Sequence, residues 1–310
     1  MPILIAAGHP MSSKPDTDHR QAWRAIIIFL LLTVCLTSVF GGLMGYQGAT
    51  PTILVTGVMW SPGIAAILTC LIIRRPIRSL PWTWPKWRWT WYAWLLPIAY
   101  GLAIYLPVWV FGLGGSRFGN PETLADWTNQ LLGTDEPNVI AAVIFLVMLA
   151  TIGMVGAAAR ALGEEIGWRG FLIWEMRKVM PFWAVGLLSG LIWAIWHWPA
   201  ILFTDYNAGG GSFVLQMFIF TMAIVPQGIV YAYFTFKSNS LWPAVILHAS
   251  HNLFIQRVFT PLTAKGEGSH LFIDEFGIVM PILGCFMSLY FYHRARVEGL
   301  TKPVVAGRAG

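Results

Sequence analysis

Eight stretches of about twenty or more predominantly apolar residues run along this chain, and they limit its architecture more strictly than any other feature. They cover 23–46, 52–73, 90–112, 139–174, 182–203, 213–236, 241–259 and 273–292. About twenty apolar residues in a helix cross the hydrocarbon core of a bilayer. Inside that core the backbone must satisfy its own hydrogen bonds, so runs of this length become helices. The expected class is therefore an all-α polytopic membrane protein, with about eight spans in one bundle. Only 11% of residues are charged and 56% are hydrophobic, against about 25% charged in soluble domains. That balance excludes a disordered chain, a soluble enzyme of ordinary surface and a nucleic-acid binder, despite a net charge of +6.

The charge instead reads as topology. With an even number of crossings, seventeen of the twenty Lys and Arg fall on the side of the N-terminus; Arg117, Arg257 and Lys265 fall on the other. Arg160 and Arg169 are counted with the majority, although both can lie inside the long fourth run. The bias predicts N-in and C-in, in what we expect to be the plasma membrane. The chain then divides into a cytoplasmic tail (1–22), one membrane domain (23–293) and a second cytoplasmic tail (294–310). In residues 1–20 the basic residues follow the short apolar run rather than precede it, which argues against a cleavable signal peptide. The segment 81–94 holds six Trp with Lys86 and Arg88 between them, the composition of a headgroup-level anchor. The longest outer loop, 114–138, is acidic through Glu122, Asp126, Asp135 and Glu136. Cys35, Cys70 and Cys285 sit in apolar runs without metal or disulfide spacing and read as packing residues.

Ionisable groups inside a bilayer are costly and default to function. Three clusters fall inside the runs: Gly163-Glu164-Glu165-Ile166-Gly167-Trp168-Arg169, Trp193-Ala194-Ile195-Trp196-His197, and His248-Ala249-Ser250-His251-Asn252. On a helix Glu165 and Arg169 stand four apart and can pair, while Glu164 points away and stays unpaired. His248 and Asn252 share a face, and His251 lies near it. A turn at Met180–Pro181 would set Glu164 and His197 at matching depth, about 25 Å along each helix. One buried Glu–Arg pair or one membrane His can simply hold helices together; three clusters at compatible depth point to a shared site. The run 139–178 as one straight helix would be about 60 Å long, so a strong tilt, a break near Gly153 or Gly156, or an extension outside the bilayer must absorb the excess. Asp274 and Glu275 read as N-terminal charges of the last span, favoured by the helix dipole.

These clusters resemble the CPBP family, the CAAX-protease and bacteriocin-processing (Abi) membrane peptidases. The family pattern is E-E-x-x-x-R, F-x-x-x-H and H-x-x-x-N or H-x-x-x-B. Here it is met by Glu164, Glu165 and Arg169; by Trp193 and His197, with Trp in place of Phe; and by His248 and Asn252. The resemblance covers the core 139–259. It implies an eight-helix bundle whose cavity opens toward the cytoplasm or the membrane, and peptide hydrolysis by activated water.

The residue types suit that chemistry. Glu164 is the expected base. His197 would hold and polarise the water, and His248 and Asn252 would donate to the oxyanion. Glu165 and Arg169 would position the site, or Arg169 would grip a substrate carboxylate. The catalytic set is thus Glu164, Glu165, Arg169, His197, His248 and Asn252. A zinc variant would use Glu164, His197 and His248 as a His₂Glu set, although the H-E-x-x-H arrangement is absent; the glutamic and metallo types stay open at this point. The expected partner is a peptide or lipidated protein within membrane lipid, with no nucleic acid. Gly186-Leu187-Leu188-Ser189-Gly190 has one residue too many for a rhomboid-type G-x-S-G. The alternatives are a proton-coupled carrier built on the same Glu/His cluster, against which no repeated halves are found, and a non-catalytic bacteriocin-immunity scaffold.

Overall fold

The computed structural model describes residues 15–47, 50–113, 120–204, 206, 212–264 and 268–302. Lys14, Arg117, Lys265, Arg308, residues 1–14 of the first tail and 303–310 of the second lie outside the described residues. Among the described residues there is no strand, and the chain is an all-α polytopic membrane protein. In chain order the helices are α1 (Pro15–Gln47), α2 (Thr52–Ile72), α3 (Trp87–Phe111), α4 (Pro121–Leu132), α5 (Val139–Val179), α6 (Phe182–Phe203) and α7 (Phe213–Ser238). Helix α8 (Trp242–His251) continues through Asn252–Phe259 to Thr260–Leu262, and α9 (Val279–Val297) closes the bundle. Among the described residues, six helices are long and apolar enough to cross a membrane: α1, α2, α3, α5, α6 and α7. Of the other two expected spans, α8 is divided by its change of winding and α9 carries His293, Arg294 and Arg296 near its end.

Two segments differ from expectation. The acidic loop contains α4, which the sequence sets up locally. Asn120 accepts from the Glu122 N–H at 3.1 Å, Pro121 opens the first turn, and Gly133 stops the helix at φ +70°, the usual start and stop chemistry. The last span begins not at 273 but at Val279, so Asp274 and Glu275 are not charges at its N-terminus; they belong to a tight turn in which Asp274 has φ +66°.

The overlong fourth run is one 41-residue helix. Its winding loosens to π geometry at Leu149–Gly153, the stretch that ends at Gly153, and again at Ile166–Leu172. A third π stretch is Asn252–Phe259. Each such insertion rotates the side chains that follow it and concentrates at functional sites. Two of the three start within one or two residues of a polar cluster.

Helix α5 is central and touches α1, α2, α6, α7 and α8 along its length. Between lipid-embedded helices, small residues let backbones approach. A Cβ on Gly63 would lie 2.5 Å from the Gly163 carbonyl oxygen, and one on Gly163 would lie 2.8 Å from the Trp60 Cα. This glycine contact fixes α2 against α5 next to Glu164. In the α6–α7 hairpin a Cβ on Gly228 would meet the Gly186 carbonyl oxygen at 2.1 Å. Gly163→Ala should therefore force α2 away and cost about 1–3 kcal/mol, the usual range for overpacking. A lower melting temperature in detergent is the expected result, and an unchanged one would show that the crossing tolerates the extra carbon.

The two ends of the bundle differ in charge. At one end Glu175 pairs with Arg75 at 2.6 Å and Lys178 at 2.7 Å, Glu298 pairs with Lys237 at 2.8 Å and with Arg294, and the Arg177 guanidinium donates to the Leu300 carbonyl. The C-terminal ends of α2, α5, α7 and α9 meet there, beside the exposed Trp84, Trp87 and Trp91. The C-terminal ends of α1 and α6 and the N-terminal ends of α2 and α7 lie at the opposite end.

Candidate active site

The turn between α5 and α6 falls at Met180–Pro181. It brings Glu164 and Trp193 together. Trp193 Nε1 donates to Glu164 Oε2 at 2.9 Å, and Glu164 is only 2% exposed. No cation touches this carboxylate among the described residues.

Glu165 faces the other way. Its Oε1 accepts from Arg169 Nη1 at 3.0 Å and from His248 Nδ1 at 2.8 Å. The pair is 0% and 1% exposed. The Arg169 guanidinium also lies between two rings, 4.3 Å from the centre of Trp193 and 4.0 Å from that of Tyr231, a geometry that favours a cation. Arg169 therefore sits behind the cavity wall, so the reading in which it grips a substrate carboxylate finds no opening here. Trp193 joins the parts: its indole touches Glu164, Arg169, His197 and His248.

The two histidines are oriented by their Nδ1 atoms. His197 Nδ1 is 2.8 Å from the Trp193 carbonyl oxygen. A carbonyl only accepts, so Nδ1 carries hydrogen and a neutral ring presents the Nε2 lone pair. His248 likewise donates from Nδ1 to Glu165, which leaves Nε2 unbound.

Glu164, His197, His248 and Asn252 line one cavity of about 370 Å³. Glu165 and Arg169 do not reach it. The cavity extends past Val55 and Met44 to Thr50, Thr204 and Tyr206, residues near the α1–α2 and α6–α7 connections. It therefore runs toward the end of the bundle opposite the basic one, and no Lys or Arg among the described residues lines it.

The same cavity is also lined by a group that sequence reasoning missed. His251 Nε2 donates to Glu275 Oε1 at 2.6 Å, the Tyr100 hydroxyl bonds His251 Nδ1, and Gln256 and Tyr206 donate to the Glu275 carboxylate. Glu275 is 4% exposed. The signal was its setting in Phe-Ile-Asp-Glu-Phe, an apolar flank that is poor company for a solvated helix-end charge.

Among the described residues no three His, Cys, Asp or Glu side chains are grouped as a metal site. Each member of the expected zinc set keeps one atom free, the second Glu164 oxygen and the Nε2 atoms of His197 and His248, and the Nδ1 bonds of the two histidines are of the kind that orient metal-binding imidazoles.

A protein-family model described as "Type II CAAX prenyl endopeptidase Rce1-like" matches residues 142–254. That interval contains all six residues of the expected catalytic set. The CAAX prenyl protease 2 of Methanococcus maripaludis is 29% identical over 115 residues, which are 36% of this chain and 38% of that protein. The similarity thus spans under two fifths of the curated relative. The interval 142–254 of the family match falls within the segment 139–259 that carries the CPBP resemblance.

Proposed function

With residues 142–254 an Rce1-like core, we propose that this protein is an intramembrane endopeptidase that cuts a membrane-associated, CAAX-type prenylated peptide with water activated at Glu164. The observation that carries the reading is Glu164 itself, a buried carboxylate with no cation beside it, facing the cavity that His197, His248 and Asn252 also line.

The steps follow from the geometry. Water between Glu164 and His197 gives a proton to the free Glu164 oxygen while the His197 Nε2 lone pair orients its second hydrogen. The water oxygen bonds to the scissile carbonyl carbon. The developing oxyanion takes hydrogen bonds from the Asn252 amide and from His248 Nε2–H; with Glu165 at its Nδ1, His248 can carry hydrogen on both nitrogens. Donors fixed before the reaction stabilise such charge at little reorganisation cost. The C–N bond then breaks, and Glu164 returns its proton to the leaving amine. Trp193 holds the second Glu164 oxygen still. The apolar side chains of Val55, Phe220 and Ile224 form a wall suited to the lipid-bearing part of the substrate. By the positive-inside rule the basic end faces the cytoplasm, so the scissile bond enters from the bilayer or from the side the cavity reaches.

The test is cleavage by the purified full chain in nanodiscs of a short CAAX-type peptide with and without its prenyl group. The prenylated peptide should be cut at one bond, and 1,10-phenanthroline should leave the rate within about twofold, because general acid–base groups alone carry the steps. Loss of activity on chelation, restored by zinc, would transfer Glu164, His197 and His248 to a metal. Failure to cut any peptide would sink the reading.

A further inference from the structure

One buried amide in the wall of the catalytic cavity is left without a partner. Gln227 of α7 is 4% exposed and lines the cavity together with Glu164, His197 and Asn252. Its carboxamide nitrogen makes no hydrogen bond with a described residue. Other buried polar atoms share that condition, on Thr90, Glu165, Trp168, Arg169 and Thr235, but none of those residues lines the cavity. A buried amide left unpaired destabilises the fold, and among lipid-embedded helices no bulk water offsets the loss. At a cavity wall such a group suits a ligand that brings the missing acceptor.

The sequence of α7 fixes where the amide stands. Phe220, Ile224, Gln227 and Tyr231 recur at helical spacing, and all four line the cavity. Gln227 is the exception to an apolar and aromatic face. Pro226 and Gly228 flank it, and α6 and α7 meet there backbone to backbone: a Cβ on Gly190 would lie 2.6 Å from the Val225 carbonyl oxygen. The main chain that carries Gln227 is thus held tightly. Phe220 packs on His197 with ring centres 5.2 Å apart, and Tyr231 packs on Trp193 at 5.4 Å. Along α7, Gln227 lies between these two levels. Helix α7 touches both α6 and α8, so the amide stands between the wall that carries His197 and the wall that carries His248 and Asn252.

The chemistry of the missing acceptor follows. In the mechanism above, the attacked carbonyl already takes donors from His248 and Asn252. An extended peptide advances about 3.3 Å per residue and points successive carbonyls to opposite sides. The carbonyl next to the attacked one therefore turns away from α8 and needs a donor on another wall. The last side-chain bond of a glutamine has broad minima, so a turn about it can carry the nitrogen to that oxygen. A contact to main-chain carbonyl does not depend on which side chains flank the bond.

Resting on the peptidase reading above, we infer that Gln227 is a substrate-binding residue whose carboxamide donates to the peptide carbonyl next to the one that is attacked, seating the chain beside Glu164.

The test uses the full chain in nanodiscs and a short prenylated CAAX-type peptide in which each carbonyl in turn is replaced by a thiocarbonyl, a weaker acceptor. Binding is read by fluorescence anisotropy in a Glu164→Gln background, and hydrolysis in the protein with Glu164. Gln227→Met keeps the approximate size of the side chain and removes the amide. It should melt at the same temperature or higher, because an unpaired buried group is gone, while peptide binding weakens about two- to tenfold, the net contribution of one hydrogen bond. KM should rise by the same factor with kcat unmoved, the mark of a contact equally strong before and during the reaction. A thiocarbonyl beside the attacked position should weaken binding when Gln227 is present and make no difference in Gln227→Met. A lower melting temperature in Gln227→Met would show that the amide is used within the protein, and overturns the proposal. So does a thiocarbonyl effect that persists without Gln227. Dependence on Gln227 at the attacked carbonyl itself assigns the residue to the oxyanion and also overturns it. If the peptide is cut with unchanged KM in Gln227→Met, the peptidase reading stands and the subsite fails. If nothing is cut but binding depends on Gln227 and on a single carbonyl, the subsite stands and the peptidase reading fails.

Discussion

Glu164→Gln lowers peptide turnover by about 10²–10⁴-fold, the usual worth of a general base, while the protein stays folded and still binds its substrate. The amide keeps the size of the carboxylate and can still accept from the Trp193 indole, which approaches at 2.9 Å. What it lacks is an oxygen basic enough to take a proton from water. His197→Ala should fall toward a similar floor, because its Nε2 lone pair faces the same water. The double variant should be little worse than either single one, since groups that act as a unit are not additive. Single-turnover rates with matched thermal melts check this. A Glu164→Gln protein that cuts at near the unsubstituted rate removes Glu164 from the base role. Cleavage that never appears, combined with Glu164-dependent transport across liposomes, would favour a carrier.

The second large effect concerns stability. Removing either member of the Glu165–Arg169 pair leaves the other charged and almost sealed from solvent, at 0% and 1% exposure. Such losses typically cost about 3–5 kcal/mol. Both Glu165→Ala and Arg169→Ala should therefore melt at much lower temperature or fail to accumulate. Arg169→Lys should rescue only in part, because an ammonium cannot lie flat between the Trp193 and Tyr231 rings as a guanidinium does. Glu165→Ala also frees the Nδ1 of His248, so its surviving folded fraction should show lower turnover than the Arg169→Lys protein. Two alanine variants of normal stability would mean that the pair contributes little to holding α5, α7 and α8 together.

Much of this was legible because a bilayer leaves few choices. The apolar runs could only be helices, and the polar residues inside them had to gather. The turn at Met180–Pro181 and the four-residue spacing of Glu165 and Arg169 follow from ordinary helical geometry. The missing parts share a cause. A π stretch has no composition of its own, and nothing in the residue types of Ile166–Leu172 or Asn252–Phe259 announces the looser winding. Glu275 and Tyr206 join His251 through long-range folding of two connections, where period and spacing say nothing. Arg160 and Arg257 were read one at a time along the chain, as topological markers, and the recess that both line exists only once α5 and α8 are side by side.

The basic side chains and the polar cavity occupy different ends of this molecule. The Lys and Arg that crowd the basic end contribute nothing to the walls of the cavity, which runs the other way. A change of a few loop charges can therefore alter the orientation in the bilayer while the side chains that line the cavity stay untouched. Two descendants of one ancestor could come to lie in the bilayer in opposite senses and still share every residue of the site, so orientation is a poor guide to kinship among chains built like this one.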